Sequence, residues 1–214
     1  MRVTIVSCND CFMDNTSDRR AELLEKIVDT LLADGVAELS LRPLAERVGT
    51  SARLLIYHFD TKENLIASAL AEVRLRVEEA LKEHVSREKP ESLRVLLLLF
   101  WDWAIAEPNQ RYFRLLFEVD GLSMFDRLRL SKETRQDGAS VWIALIDRAA
   151  ARLRQNKDPL NSRSTLIMGA LNGLLQDYLS TGDRPRTTAA LVELMDLVDG
   201  DRSQSRRTRA GGKA

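Results

Sequence analysis

Apolar residues along this chain recur with the 3.6-residue period of the α-helix, and the predicted elements follow from where that period starts and stops. Leu24, Ile27, Val28, Leu31 and Leu32 share one face, with Arg19, Glu22, Glu25, Lys26 and Asp29 mostly opposite. Ser17 or Asp18 can cap the start of this helix, and Gly35 supplies its stop. Ser40 then opens a short helix through Leu41, Leu44, Ala45 and Val48. Pro43 falls in its first turn, where a missing backbone N–H costs little. Gly49 turns the chain, and Thr50 or Ser51 can cap a second short helix over Ala52–His58. Two short helices joined by a Gly turn of this length form a helix-turn-helix pattern.

The period continues beyond it. Thr61 caps a long helix through Leu65, Ile66, Ala69, Leu70, Val73, Val77 and Leu81 to about His84, and Lys89-Pro90 marks the break. Leu93–Ala106 is apolar on nearly all sides, as a buried helix should be. After Glu107-Pro108-Asn109, a further helix carries Phe113, Leu116 and Phe117 and loosens near Asp120-Gly121. Helices are expected from Lys132 to Gln155, from Ser162 to Ser180 with Gly182 as the stop, and from Thr187 to Val198. The resulting fold class is all-α, with about nine helices and no internal repeat. The expected organisation is a flexible leader over 1–17, a helix-turn-helix module over 18–61, a larger helical domain over 62–200 and a disordered Arg-rich tail over 201–214.

Composition narrows the function. Of 214 residues, 44% are hydrophobic and 30% charged, which is globular rather than disordered. No apolar run reaches the ~20 residues of a membrane span: the longest, Val95 to Trp101, stops at Asp102. No signal peptide is visible either, so a cytoplasmic location is expected. The formal net charge is zero, which excludes binding by bulk positive charge, but the charge is uneven. Residues 41–62 carry Arg42, Arg47, Arg53 and Lys62 against Glu46 and Asp60, and the tail carries Arg202, Arg206, Arg207, Arg209 and Lys213 against Asp201. Cys8 and Cys11 form one C-x-x-C pair, but a zinc site needs about four ligands and His58 and His84 stand at unrelated spacing. No metal or cofactor is expected. There is no G-x-S-x-G, P-loop or dinucleotide fingerprint, and the carboxylates interleave with Arg and Lys on solvated faces, so the chain is not read as an enzyme.

The stretch Gly49-Thr-Ser-Ala-Arg-Leu-Leu-Ile-Tyr-His-Phe-Asp-Thr-Lys-Glu-Asn-Leu65, preceded by Leu41-Arg-Pro-Leu-Ala-Glu-Arg-Val48, resembles the DNA-binding signature of the TetR (tetracycline repressor) family of transcriptional regulators. The resemblance covers about 18–80 well, and the later helices in layout only. It implies a homodimer that reads double-stranded, palindromic operator DNA and acts as a repressor released by a small-molecule effector. A recognition helix in the major groove presents the residues near its N-terminus to base edges. Here these are Ser51, Ala52, Arg53 and Leu54, with Arg53 placed for bidentate bonds to guanine. Thr50, Arg42, Tyr57, His58 and Lys62 are candidates for phosphate contacts that set register. Arg42 can equally be a solvated surface charge, and His58 can pack on the neighbouring helix. One position departs from the family: Ile56 stands where members usually carry a Tyr that bonds phosphate, and Tyr57 lies next to it.

In the C-terminal part, Trp101, Trp103, Phe113, Phe117, Met124, Trp142 and Met168, with polar Asn172 and Gln176, are the candidate lining of an effector pocket. The resemblance raises that reading, while ordinary core packing explains each residue singly. The family's last two helices form a four-helix dimer interface. Gly169, Ala170, Gly173 and Leu174, with Leu191, Leu194, Met195 and Val198, are the candidates for it, against packing within one chain. Two alternatives stay open: a DNA-binding regulator whose packed C-terminal domain answers to a protein partner or to no ligand, and a helical enzyme or carrier in which the helix-turn-helix is incidental.

Overall fold

The computed structural model describes residues 9–132, 134 and 161–210, and the side chains of 18–132, 134 and 164–197. All its elements are helices: α1 (Asn9–Asp34), α2 (Leu41–Arg47), α3 (Ala52–Phe59), α4 (Lys62–Glu88), α5 (Leu93–Ile105), α6 (Glu107–Met124), α7 (Asn161–Thr181) and α8 (Arg184–Ala210). The described residues form two compact units. One runs to Ala80 and adds Arg111–Thr134; the other comprises Leu81–Gln110 and the described residues after 160. The first unit therefore holds the helix-turn-helix together with most of α4 and α6, and the sequence boundary at 61/62 falls inside it. The helix expected over Lys132–Gln155, with Trp142, lies almost wholly outside the described residues.

The first unit is built on the faces that the periodicity marks. Ile27, Val28 and Leu31 of α1, Leu44 and Ala45 of α2, Leu55 and Phe59 of α3, and Leu65, Ile66, Ala69, Leu70, Val73 and Val77 of α4 are buried. Each large side chain so removed from water contributes about 1.5–3 kcal/mol against the entropy of ordering the chain. At the start of the α1 face the register differs from expectation: Leu23 is fully buried and Leu24 only half-buried. Both lie near the apolar stripe, and the neighbouring helices decide which points inward.

Helix ends follow local chemistry. Gly35, Gly49 and Gly182 take positive φ values of 78°, 73° and 71° just past helix ends, the conformation that ends a helix at least cost to glycine. Thr61 Oγ1 accepts the Asn64 N–H at 3.0 Å and caps α4. Pro108 sits in the first turn of α6, so the Glu107-Pro108 break ends α5 and starts α6 at once. That helix runs through Asp120-Gly121, where loosening was expected, to Met124. Beyond Thr187–Val198, α8 continues through Gly200 and the Arg-rich 201–210 segment. The helix was missed there because the segment has no apolar period, although Arg, Gln and Ala are good helix formers.

A carboxylate from α6 closes the far end of α1. Glu118 accepts the backbone N–H of Val36 at 3.0 Å and of Ala37 at 2.7 Å, across more than eighty residues of sequence. A Cβ on Gly35 would lie within 3.0 Å of the Glu118 carboxylate, so any larger residue there, already strained by the positive φ, displaces that carboxylate.

In the second unit Leu96, Leu97, Trp101, Ala104 and Ile105 of α5, Ile167, Met168, Leu171 and Leu175 of α7, and Leu191 and Met195 of α8 are buried. Trp101 is fully buried. Its indole N–H donates to Thr188 Oγ1 at 2.9 Å, and its ring meets Tyr178 edge-on at 6.3 Å. Arg186 holds the α7–α8 turn by two bonds to Asp177, each 2.7 Å, and one to Asp183 at 3.2 Å. The Arg186 hydrogen bonds draw the Asp177 carboxyl below its usual range.

Candidate nucleic-acid interface

The turn between α2 and α3 is made by backbone and one side chain. Gly49 takes the left-handed conformation, and the Thr50 N–H donates to Ala45 O at 2.8 Å. Ser51 is extended, with φ −114° and ψ 152°, and its Oγ accepts the Leu54 N–H at 3.2 Å, so it is the N-cap of α3. Within α3, Leu55 and Phe59 lie one turn apart and are buried. The opposite side presents Arg53, Leu54 (45% exposed), Ile56 (39%) and Tyr57 (68%) to solvent.

The ten polar and apolar candidates of this module, Ile56 included, separate by environment. Arg42 and Arg53 are exposed, and neither bonds an acidic residue among the described residues. Ala52 is half-buried. Thr50 Oγ1 is buried with no hydrogen-bond partner among the described residues, so it needs a rotamer change to reach a phosphate. His58 is half-buried; its ring packs edge-on to Tyr57 at 5.1 Å and its carbonyl accepts from Arg20. Lys62 Nζ donates to the Leu39 carbonyl, tying the start of α4 to the loop before α2. Arg47, a cation of the same stretch, is engaged with Asp34. The outward face of α3 thus carries one unengaged guanidinium set in apolar surface, and Arg42 stands exposed in the first turn of α2.

Arg20 is the residue that sequence reasoning missed. Its Nε donates to the His58 carbonyl at 3.2 Å, a second nitrogen donates to Ser68 Oγ at 3.3 Å, and its guanidinium lies 4.8 Å from the centre of the Phe59 ring. One side chain of α1 therefore holds the C-terminal end of α3 and the first turns of α4. Cation–π contact and charge-assisted bonds together fix α3 on its support. Nothing in the periodicity marks Arg20, which sits among other charged residues on the polar face of α1.

Residues 23–69, from α1 to the first turns of α4, match the family model described as bacterial regulatory proteins, tetR family. Over 201 residues, covering 87% of this chain and 94% of the relative, the chain is 28% identical to the HTH-type transcriptional repressor AcnR of Corynebacterium glutamicum. The helix-turn-helix region is similar to that of the tetR family. Solved structures share the fold. A Rhodococcus protein assigned to that family superposes with a TM-score of 0.65 at 19% identity, over 85% of this chain and 98% of the other. The multidrug binding protein EbrR, complexed with imidazole, gives 0.59 at 19% identity, over 83% and 89%. Both likenesses, to the family model and to AcnR, are to transcription regulators.

The residues expected to line an effector pocket scatter in environment. Trp101, Trp103, Phe113 and Met168 are buried and Phe117 is half-buried, while Met124, Asn172 and Gln176 face solvent. An open depression of about 460 Å³ in the second unit is lined by Arg184, Pro185, Thr188, Ala189 and Val192, none of them among the expected lining. The expected dimer residues also divide. Leu191 and Met195 are buried in the core of their own unit, because α8 turns that edge of its stripe inward. Gly169 and Gly173 are exposed, Ala170, Leu174 and Leu194 half-buried, and the Val198 side chain lies outside the described residues. Among the described residues no helix is long and apolar enough to cross a membrane, and no cluster of three metal-ligating side chains occurs.

Proposed function

We propose that this protein is a cytoplasmic homodimeric repressor that binds a palindromic operator through α3 and is released from it by a small-molecule effector. The observation that carries the DNA-reading part is the outward face of α3, where Arg53 stands unengaged while Leu55 and Phe59 anchor the helix behind it. Arg53 reads guanine through O6 and N7, a bidentate contact worth ~1–3 kcal/mol of discrimination. Arg42, Tyr57, His58 and Lys62, with Thr50 after a rotamer change, set register on the phosphates, and Tyr57 takes the place of the hydroxyl that Ile56 lacks. Repression follows the relative AcnR, whose name states that activity.

The dimer is supported by the exposed side of the second unit. Leu166 on α7 and Leu197 on α8 are large, apolar and exposed, and a Cβ added at Gly169 or Gly173 would meet nothing within 4 Å among the described residues. Among the described residues these glycines make no tight contact, which leaves room for close approach of a second copy. Two copies place two reading helices on half-sites ~34–36 Å apart. An effector moves such a regulator from mostly bound to mostly free when it favours one state by ~5.5 kcal/mol. That EbrR holds imidazole supports a small-molecule site in this fold.

A second reading keeps the DNA binding and removes the small molecule. It is favoured by Trp101, which is fully buried and satisfied by Thr188, and by the outward placement of Asn172 and Gln176. A thermal-shift screen in which no small molecule raises the melting temperature supports it.

The deciding experiment is binding of the purified protein to DNA flanking its own gene, with excess random competitor at near-physiological salt. A competitor-resistant complex with two symmetric protected half-sites is expected. Arg53→Ala is expected to weaken that complex far more than non-specific binding; equal loss on all DNA refutes base reading by Arg53.

A further inference from the structure

The polar groups at the start of α3 are largely spoken for, and that decides what else the helix can read. Thr50 Oγ1 is buried. Ser51 Oγ accepts the Leu54 N–H, which fixes its rotamer at the helix end and leaves only its O–H to donate, and Ala52 has no polar side-chain atom. What remains beside Arg53 is Leu54, in the first turn, 45% exposed and pointing away from the core that Leu55 and Phe59 enter. Tyr57, 68% exposed, follows it at i+3 on the same face.

An exposed leucine alone is unremarkable on a protein surface. On a helix that enters the major groove it has consequences. Guanine, adenine and cytosine offer polar edges there, and thymine alone offers a methyl group. Leucine laid on a polar edge removes water from an N7, O6 or amino group and returns no hydrogen bond, which is unfavourable. Laid on a thymine methyl, it buries apolar surface on both sides.

We propose that Leu54 reads the 5-methyl group of a thymine lying within two base pairs of the guanine engaged by Arg53, so that each half-site carries this guanine and this thymine. The inference rests on α3 being the DNA-reading helix and names the base feature it senses. Leu54 is a specificity residue, and the Arg20 contacts to His58 and Phe59 keep the helix from rolling it away from the groove.

The test uses the full-length protein. Selection from random duplexes defines the preferred site, and each thymine in it is replaced singly by deoxyuridine, which removes the methyl and keeps the hydrogen-bonding edge. One position per half-site is expected to weaken binding about fourfold, the factor for one buried methyl of ~0.8 kcal/mol. Leu54→Ala, altered at an exposed position, is expected to bind both DNAs equally. A selected site to which the wild type binds with indifference to every thymine replacement overturns the proposal and leaves the sequence-specific regulator standing. Discrimination that survives in Leu54→Ala assigns the methyl to another side chain and also overturns it. Failure to select any sequence removes the DNA-reading premise itself.

Discussion

Replacing Gly35 by alanine tests the long-range closure of α1 by Glu118. Gly35 holds φ at +78°, where an L-residue costs about 1–2 kcal/mol. The new Cβ would also lie 2.4 Å from Glu118 Oε2 and 2.9 Å from Oε1, so the carboxylate has to withdraw. Withdrawal breaks its bonds to the N–H groups of Val36 and Ala37, at 3.0 and 2.7 Å. Ala37 is exposed and water replaces its partner, whereas Val36 is buried and loses a charge-assisted bond of about 1.5–3 kcal/mol. The expected total is about 2.5–5 kcal/mol, a large share of the ~5–15 kcal/mol that holds a typical domain folded. Urea denaturation followed by circular dichroism measures it. The control is Gly35→Ala in a Glu118→Ala background, where only the backbone cost of about 1–2 kcal/mol remains. If Gly35→Ala costs the same in both backgrounds, Glu118 does not compete for that space and the reasoning is wrong.

Three further outcomes are expected. Ser51→Ala removes the N-cap of α3 and lowers stability by about 1 kcal/mol, read from the shift in urea midpoint. Arg20→Ala costs about 1–2 kcal/mol through the lost stacking on Phe59 and the bonds to His58 and Ser68, and weakens DNA binding although Arg20 is outside the reading face; unchanged operator affinity refutes that support role. Asp177→Asn lowers stability at neutral pH by breaking the pair with Arg186. The Asp177 carboxyl is drawn below its usual 3.8, so the wild-type advantage is full above that pH and disappears as pH falls through the lowered value; an advantage that persists in strong acid would assign it to something other than charge.

How far the sequence carried these readings depends on the range over which each feature is encoded. The helix-turn-helix was legible because each of its parts is local: the apolar pairs Leu41/Leu44 and Leu55/Phe59, the Gly49 turn and the Ser51 cap lie within twenty residues. The extent of α8 was not, since 201–210 has helix-forming residues but no apolar stripe to announce them. At the site, Arg53 stood out by type and position. Arg20 did not, because its three partners are 38 to 48 residues away or on another helix face, and a polar residue on a polar face carries no sign of them.

By itself the sequence determined the all-helical class, the position of the helix-turn-helix and the points where helices stop, because a period of 3.6 residues and a glycine at positive φ are properties of short stretches of chain. The tertiary structure decided which face of each stripe is covered and which polar groups are already engaged. It turned Leu23 rather than Leu24 inward, took Leu191 and Met195 into the core of their own unit, buried the Thr50 hydroxyl and bound Lys62 to Leu39. Periodicity shows that a face is apolar but not what lies against it, and a hydrogen bond between distant residues leaves no mark on either one's neighbours in the sequence.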